Sequence, residues 1–225
     1  MSQRRALIVT PIQEEYDDLC SSLTNLGLNL QNDRIGKLDV CQFPELRITV
    51  APGGHGKTQF GIQTQYLLDQ VKYDLVLCVG AAGALAPEVR VGDLIVATVT
   101  FEHDYNLKFV RRPKPRFMGD MKSIEQIKHL KLEDWKFNIH FGIMASGDED
   151  VIDVTRGREL RKMTNALGVA WEGVGGARAC AFNGVPFLEL RGATDTANHA
   201  APVIFDRNLK IVMNHISLLL TAWLC

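Results

Sequence analysis

The stretch PFLELRGATDTAN, residues 186–198, decides which fold this chain is expected to adopt. Its first part, Pro186 to Arg191, is a largely apolar run that predicts a buried strand. Its second part, Gly192 to Asn198, is small and polar and predicts a turn. Asp195 is therefore expected at the carboxyl end of a central strand, which is where open α/β sheets bind their ligands.

A second carboxylate precedes this stretch. Trp171-Glu172-Gly173 ends a short apolar run and leads into a helix of small residues, so Glu172 is predicted at a helix start. Each acid alone is compatible with a structural role, because Asp favours turns and helix caps and Glu is stabilised near a helix N-terminus by the dipole. Acids at the ends of two neighbouring elements together indicate one candidate site.

Composition limits the protein classes that need to be considered. The 225 residues are 46% hydrophobic, which suits one large α/β domain or at most two small ones, and the lack of a linker favours a single domain over residues 1–225. The formal net charge of −1 gives no global field that would favour nucleic acid or an anionic membrane as a partner. We expect no cofactor and no metal, because the widely spaced cysteines form no metal or redox motif and predict reduced, buried thiols.

Targeting signals are not expected either. The apolar run Ala6 to Val9 is too short for the core of a signal peptide. The most apolar segment, Ile211 to Leu224, contains Asn214, His215 and Ser217 and is too short for a bilayer span, so it predicts a packed terminal helix. These features favour a cytoplasmic protein.

Apolar strands alternate with helical patterns along the rest of the chain. This alternation predicts an α/β fold with a central mixed sheet covered on both faces. A helix is expected from Gln13, with Glu14 and Glu15 in its first turn, where acids complement the helix dipole. The other predicted elements are strands at 6–10, 34–43, 46–51, 74–79, 94–101, 139–145 and 168–171, helices at 121–131 and 155–167, and a small-residue loop at 80–87.

The segment Ala51 to Thr58 is a relaxed match to the P-loop that cradles phosphates, and it would make Lys57 the phosphate ligand of a nucleotide hydrolase. Three features count against this interpretation. The first position is Ala instead of Gly, the segment follows a predicted hairpin instead of a first strand, and Asp74 precedes the next apolar run, whereas a magnesium-binding acid would follow it.

The basic, proline-containing segment Arg111 to Arg116 allows two interpretations. Such a cluster is usually a solvated surface. The alternative is a mobile lid with affinity for anionic groups.

Taken together and in order, the motifs resemble the nucleoside phosphorylase/nucleosidase superfamily, most closely its methylthioadenosine/S-adenosylhomocysteine nucleosidase branch. The resemblance implies a single-domain three-layer α/β/α fold with a central mixed, partly barrel-like sheet, and a homodimer or larger homo-oligomer. It also implies hydrolysis of the base–ribose bond of a purine nucleoside. The matching segments are Ile8 to Tyr16, Gly54 to Lys57, Val79 to Asp93, His103-Asp104, Ser146 to Asp148, Trp171-Glu172 and Arg191 to Asn198.

The resemblance assigns a role to each of three acids. Asp195 matches the acid that protonates or hydrogen-bonds purine N7, and Glu15 matches the base that activates water. Glu172 matches the acceptor for the ribose 2′ and 3′ hydroxyls, which orients the sugar as positive charge develops on it. Gly83, in the small-residue loop, and His103 are expected to contribute to substrate binding.

The chain departs from the family pattern at several positions. Where phosphorylases carry an Arg and a Ser to hold phosphate, this chain has the run Leu77 to Ala81, which contains neither residue, so water is expected as the nucleophile. Trp171 replaces a smaller Met beneath the sugar. Asp150 stands where an aromatic residue stacks on the purine, although Val151 can still present backbone groups to the base.

Several alternatives remain open at this point. Phosphorolysis is the runner-up to hydrolysis. A nucleotide-preferring nucleosidase is a second alternative, with Arg111, Arg112 and Arg116 near a polar 5′ group. The P-loop hydrolase is a third, and a catalytically weak nucleoside sensor is the fourth.

Overall fold

The computed structural model describes residues 4–110, 112–131, 135–198 and 201–224. Its strands are β1 (Ala6–Thr10), β2 (Gln31–Ile35), β3 (Leu38–Phe43), β4 (Ile48–Pro52), β5 (Leu75–Ala84), β6 (Leu94–Glu102), β7 (Arg116–Met118), β8 (Ile139–Ser146), β9 (Gly168–Ala170) and β10 (Phe187–Asp195). Its helices are α1 (Gln13–Asn25), α2 (Gly56–Gln70), α3 (Met121–Lys128), α4 (Val154–Thr164), α5 (Gly173–Asn183) and α6 (Ala201–Leu224).

The strands form one mixed sheet that is partly closed. Strands β10, β6, β8, β9 and β5 follow one another as hydrogen-bonded neighbours, and β5 pairs again with β10, so these five strands form a closed circuit. From β5 the sheet continues as an open arm through β1, β4, β3 and β2. The expected mixed, partly barrel-like sheet is therefore confirmed.

Helices cover the open arm on both faces. Neighbouring residues of β1 point to opposite faces of the sheet, so each helical layer packs on a different set of β1 side chains. Ala6 and Ile8 belong to a buried cluster that includes side chains of α1 and α6. Leu7 and Val9 belong to a second cluster with side chains of α2 and α5. The three-layer α/β/α arrangement is thus confirmed, with the sheet as its middle layer.

Two predicted loop boundaries are wrong. The small-residue loop at 80–87 and the turn at 192–198 were expected outside the sheet, yet β5 continues to Ala84 and β10 to Asp195. The two segments pair with each other in parallel register, with Gly80 opposite Arg191 and Gly83 opposite Asp195. Their small residues reflect crowding, since a Cβ on Gly80 would lie 2.6 Å from the Glu15 carboxylate.

The predicted strand at 34–43 is also wrong, because it is two strands with a tight turn between them. β2 and β3 form an antiparallel hairpin that turns at Gly36, whose φ of 58° favours glycine and where a Cβ would overlap the Tyr66 side chain. A short 3-10 turn, Pro44–Leu46, then leads into β4. The terminal helix begins ten residues earlier than the apolar run indicated, and none of the helices described has the length and apolar character that crossing a bilayer requires.

Candidate active site

A cavity of about 390 Å³ opens where β1, β5 and β10 end and where α1 and α5 begin. The three acids singled out from the sequence, Glu15, Glu172 and Asp195, all line it. The remaining lining residues are Pro11, Ile12, His55, Ala81, Ala82, Gly83, Glu149, Asp150, Val151, Ile152, Val169, Ala170, Trp171, Arg191, Thr194 and Phe205. Folding therefore brings residues from distant parts of the chain to a single pocket.

Glu15 lies in the first turn of α1 and is buried. One carboxylate oxygen accepts a hydrogen bond from the Ile12 N–H at 3.1 Å, and the other accepts one from the Ala81 N–H at 2.7 Å. β1 pairs with β5 only as far as Cys78, so the Ala81 N–H beyond that point is available to the carboxylate. Glu15 therefore caps its helix and also faces the pocket.

Burial raises the pKa of Glu15 from 4.5 to about 7, and the Glu172 carboxylate adds to this effect. The Arg191 guanidinium and the two backbone N–H donors oppose it. A carboxyl group with a pKa near neutrality can exchange a proton with water at physiological pH, which is the property required of a general base.

Asp195 ends β10 and is buried beside Thr194. Its two oxygens accept hydrogen bonds from the Ala197 N–H at 2.8 Å and the Thr194 hydroxyl at 2.9 Å. Burial raises the pKa of Asp195, while these two donors oppose the rise. The upward direction is the one that a proton donor requires.

Glu172 is the residue immediately before α5, and its carboxylate is held from two sides. Its Oε1 accepts a hydrogen bond from the Gly56 N–H at 3.2 Å, and its Oε2 accepts one from the Arg191 guanidinium at 3.2 Å. Each carboxylate oxygen has two lone pairs, so capacity remains for the hydroxyls of a ligand.

Arg191 is a pocket residue that the sequence analysis did not identify. It is completely buried in β10, and its guanidinium also donates to Ala81 O at 3.2 Å, Cys78 Sγ at 3.2 Å and Glu189 Oε1 at 2.9 Å. The available signal was a Glu and an Arg two residues apart in an otherwise apolar strand, because such residues share one face of the strand.

His55 is the second pocket residue that was missed. Its ring lies 4.3 Å from the Trp171 ring, centre to centre, and its Nδ1 lies 3.5 Å from Glu172 Oε1. More than half of its side chain (57%) is exposed, so His55 and Trp171 together form part of the rim of the pocket. Trp171 thus lies in the pocket as predicted, paired with a histidine that came from the P-loop-like segment.

Four of the other residues that were predicted for the pocket do lie in it. Ala81, Gly83, Asp150 and Val151 all line the cavity. Glu149 also lines it and is fixed by two hydrogen bonds from Arg156, at 2.6 and 2.7 Å.

The remaining predicted residues lie elsewhere or outside the described part of the chain. His103 is buried outside the lining, and neither of its ring nitrogens has a hydrogen-bond partner among the residues described. Arg116 packs on the Phe101 ring and lines a separate groove, while Arg112 is exposed and does not line the pocket. Arg111 lies outside the described residues.

The P-loop interpretation is wrong, because the groups that would bind phosphate are already occupied by carboxylates. The Gly56 N–H donates to Glu172, and the Lys57 N–H donates to Asp148 at 2.8 Å. The Lys57 ammonium is bonded to Glu102 at 3.1 Å and to Asp104 at 2.5 Å. An anionic phosphate would have to displace these carboxylates.

The described residues also contain no cluster of three or more His, Cys, Asp or Glu side chains arranged to hold a metal ion. The pocket itself combines buried carboxyl groups with apolar walls. The partly closed mixed sheet and this pocket define an α/β protein whose candidate site places buried carboxyl groups in a cavity with apolar walls.

Comparison with known proteins identifies the family. The model of the phosphorylase superfamily matches residues 5–224, and the chain belongs to that superfamily. The resemblance inferred from the sequence motifs is therefore confirmed.

Individual relatives agree with this assignment. A 5′-methylthioadenosine/S-adenosylhomocysteine nucleosidase of Baumannia cicadellinicola is 29% identical over 185 residues, covering 78% of this chain and 80% of that protein. The nucleosidase of the same name from Shewanella halifaxensis is 25% identical over 185 residues, covering 79% and 80%. The names of these relatives agree with the predicted class, a hydrolase of N-glycosyl bonds.

Solved structures share the fold. A mutant of the Helicobacter pylori methylthioadenosine/S-adenosylhomocysteine nucleosidase, with 5′-methylthioadenosine in its active site, has a TM-score of 0.85 at 24% identity and covers 99% of this chain and 98% of that chain. The Helicobacter pylori futalosine hydrolase has a TM-score of 0.84 at 23% identity and covers 97% and 96%.

Proposed function

We propose that this protein is a nucleosidase that uses water to cleave the base–ribose bond of a purine nucleoside, as the names of its relatives indicate for them. The observation that carries the proposal is the convergence of Glu15, Glu172 and Asp195 on one pocket. Two of these carboxyl groups have raised pKa values, as acid–base roles near neutral pH require.

Each acid has a task that its surroundings support. Ionised Glu15 takes a proton from the attacking water, and its hydrogen bonds from Ile12 and Ala81 fix the carboxylate in place. Glu172 accepts hydrogen bonds from the ribose hydroxyls and favours the positive charge that develops on the sugar. Asp195 donates a proton or a hydrogen bond to purine N7 as the base leaves.

Water is favoured over phosphate as the nucleophile because of the charge in the pocket. Arg191 is the buried cation of the lining, and its guanidinium is already bonded to Glu172 and Glu189. A phosphate dianion beside Glu15 and Glu172 would meet like charges, while the Arg191 guanidinium is already paired with carboxylates.

The same reasoning disfavours a nucleotide substrate. Arg112 and Arg116, two of the arginines considered for a 5′ phosphate, do not line the pocket, and the lining instead includes Glu149 and Asp150. Apolar lining residues such as Ile152 and Phe205 suit an apolar 5′ substituent better. We therefore favour a neutral nucleoside, with a methylthio or larger thioether group at the 5′ position as the leading candidate.

The decisive experiment incubates the protein with adenosine, methylthioadenosine, S-adenosylhomocysteine, futalosine and AMP, each with and without phosphate. Chromatography is expected to show free base and free sugar whose rate does not depend on phosphate. A sugar phosphate as product would establish phosphorolysis instead. Nucleoside binding that is detected by calorimetry without any release of base would indicate a catalytically weak nucleoside sensor instead.

We also propose a homodimer or larger homo-oligomer, as the family resemblance implies. Light scattering during size-exclusion chromatography tests it, and a monomeric mass across the working concentration range would refute it. Localisation in the cytoplasm also stays a prediction, which fractionation of cells can check.

A further inference from the structure

A charged pair lies directly behind the pocket, on the face of β10 that carries Arg191. Glu189 is completely buried and two residues before Arg191, so the two side chains share one face of the strand. Its Oε1 accepts the Arg191 Nε–H at 2.9 Å, and its Oε2 accepts the Thr100 hydroxyl at 2.7 Å. Both oxygens of Glu189 are therefore engaged away from solvent.

The first residue of α5 leaves the space for this carboxylate. A Cβ on Gly173 would overlap both carboxylate oxygens of Glu189. Any larger residue at position 173 would thus displace the Glu189 side chain. Glycine at position 173 therefore allows close packing, and the side chain at position 189 depends on the residue at position 173.

On the pocket side, the same guanidinium holds two parts of the site. It donates to Glu172 Oε2 and to the carbonyl oxygen of Ala81, both at 3.2 Å. The N–H of Ala81 is in turn the donor to Glu15. A displacement of Arg191 would therefore reach both Glu172 and Glu15.

We propose that Glu189 is a positioning residue of the nucleosidase site: by holding Arg191 from behind, together with Thr100 and in the space left by Gly173, it fixes Glu172 and sets the charge that Glu15 experiences. The inference rests on the proposed function for its kinetic test. A buried guanidinium needs such fixed partners, since an unpaired buried charge is strongly unfavourable.

The sign of the electrostatic effect follows from the groups around Glu15. The charged groups that act on Glu15 are Arg191 on β10 and Glu172 at the start of α5, and Arg191 itself is also faced by Glu189 on β10 and the Cys78 thiol on β5. Neutralising Glu189 leaves the positive charge of Arg191 less compensated. That change favours the ionised form of Glu15 and lowers its pKa.

The isosteric Glu189→Gln variant tests the proposal through a pH–rate profile of kcat/KM. The midpoint of the acidic limb is expected to fall from about 7 by roughly half to one pH unit, less than the one to three units caused by a direct charge contact. Glu125→Gln, an exposed carboxylate on α3, is the control and should leave the midpoint unchanged. A purely structural role would scale the rate at every pH without moving the midpoint, and that result would overturn the proposal.

A double-mutant cycle keeps the test independent of one variant. As a single substitution, Gly173→Ala should shift the acidic limb of the pH–rate profile, because it displaces Glu189. In a Glu189→Ala background it should add little, because the space that the Glu189 carboxylate occupied is then free. Equal effects of Gly173→Ala in both backgrounds would contradict the proposal.

A second measurement does not need activity. The stability difference between each protein and its Glu15→Gln derivative changes with pH up to the folded-state pKa of Glu15 and is constant above it. The pH at which this difference levels off should therefore be lower in the Glu189→Gln background than in wild type. If wild type releases no base from any nucleoside, the proposed function fails while this measurement still decides the role of Glu189. If the difference levels off at the same pH in both backgrounds, that role is rejected.

Discussion

Replacing Glu15 with Gln is expected to change how the stability of the protein depends on pH. Glu15 is buried, and its pKa in the folded protein is about 7 instead of 4.5. The folded state therefore binds the proton more tightly than the unfolded state does. As pH rises from the unfolded value towards the folded value, the wild-type protein loses stability, whereas the amide of the variant does not titrate.

The magnitude follows from the shift. A change from 4.5 to about 7 corresponds to about 3 kcal/mol, since one pKa unit equals about 1.4 kcal/mol. Most of this loss of wild-type stability, roughly 2.5 kcal/mol, occurs between about pH 5 and pH 8. The amide also loses one hydrogen bond, because its NH2 group faces the N–H of Ile12 or Ala81. That loss is the same at every pH, so it cancels from the comparison between the two pH values.

Urea denaturation of both proteins at about pH 5 and pH 8, at one protein concentration, measures the effect. The free energy of unfolding of Glu15→Gln should gain about 2.5 kcal/mol relative to wild type on going to the higher pH. Glu14→Gln is the matched control, because Glu14 is the exposed neighbour in the same helical turn. A constant difference between Glu15→Gln and wild type, or one that changes in the opposite direction, would refute the reasoning.

The other predictions concern single side chains in and around the pocket. Asp195→Asn should lower kcat by about 10²–10⁴-fold with little change in KM, as loss of a positioned acid does; chromatography of released base measures both. The kcat/KM of wild type should rise with pH and level off above about 7, because the role proposed for Glu15 requires its ionised form, and a pH–rate profile checks this. Arg112→Gln and Arg116→Gln should leave the ratio of kcat/KM for AMP and adenosine unchanged, since neither side chain lines the pocket. Lys57→Met should lower the urea midpoint, because Glu102 and Asp104 lose their ion pair, but the folded variant should keep its kcat and release no phosphate from ATP.

Much of the fold could be predicted from apolar runs with clear boundaries. The run at β1 is ended by Pro11, and β6 and β8 lie close to their predicted ranges. The acids of the pocket were identifiable for a related reason. Glu15 and Glu172 lie where helices begin, and Asp195 lies where a strand ends, so each occupies an element boundary that the local sequence defines.

Small residues misled the prediction at the centre of the sheet. Gly80 and Gly192 interrupt apolar runs and suggested turns, yet both lie within strands. A Cβ on Gly80 would contact Glu15, and one on Gly192 would overlap Val212 of α6. A glycine required by a turn and a glycine required by close packing look the same in a single sequence, because the contact that distinguishes them comes from a distant segment.

Arg191, Glu189 and His55 could not be assigned for the same reason. The role of Arg191 depends on carboxylates from α5 and on a carbonyl group of β5, and that of Glu189 depends on the missing side chain of Gly173. His55 lay in a segment whose glycines suggested a phosphate loop. Only the folded arrangement shows that the N–H groups of that segment donate to carboxylates.

The charges behind the pocket link the chemistry of the site to its stability. Glu15, Glu172 and Glu189 surround one guanidinium, so the buried cluster contains more carboxyl groups than cations. A buried negative charge without a partner is unfavourable, and binding one proton reduces the imbalance. With a pKa of about 7, Glu15 is the member that binds this proton near neutral pH. Burial, more than the neighbouring charges, therefore costs stability when Glu15 ionises, and the same desolvation gives Glu15 the affinity for a proton that a general base requires.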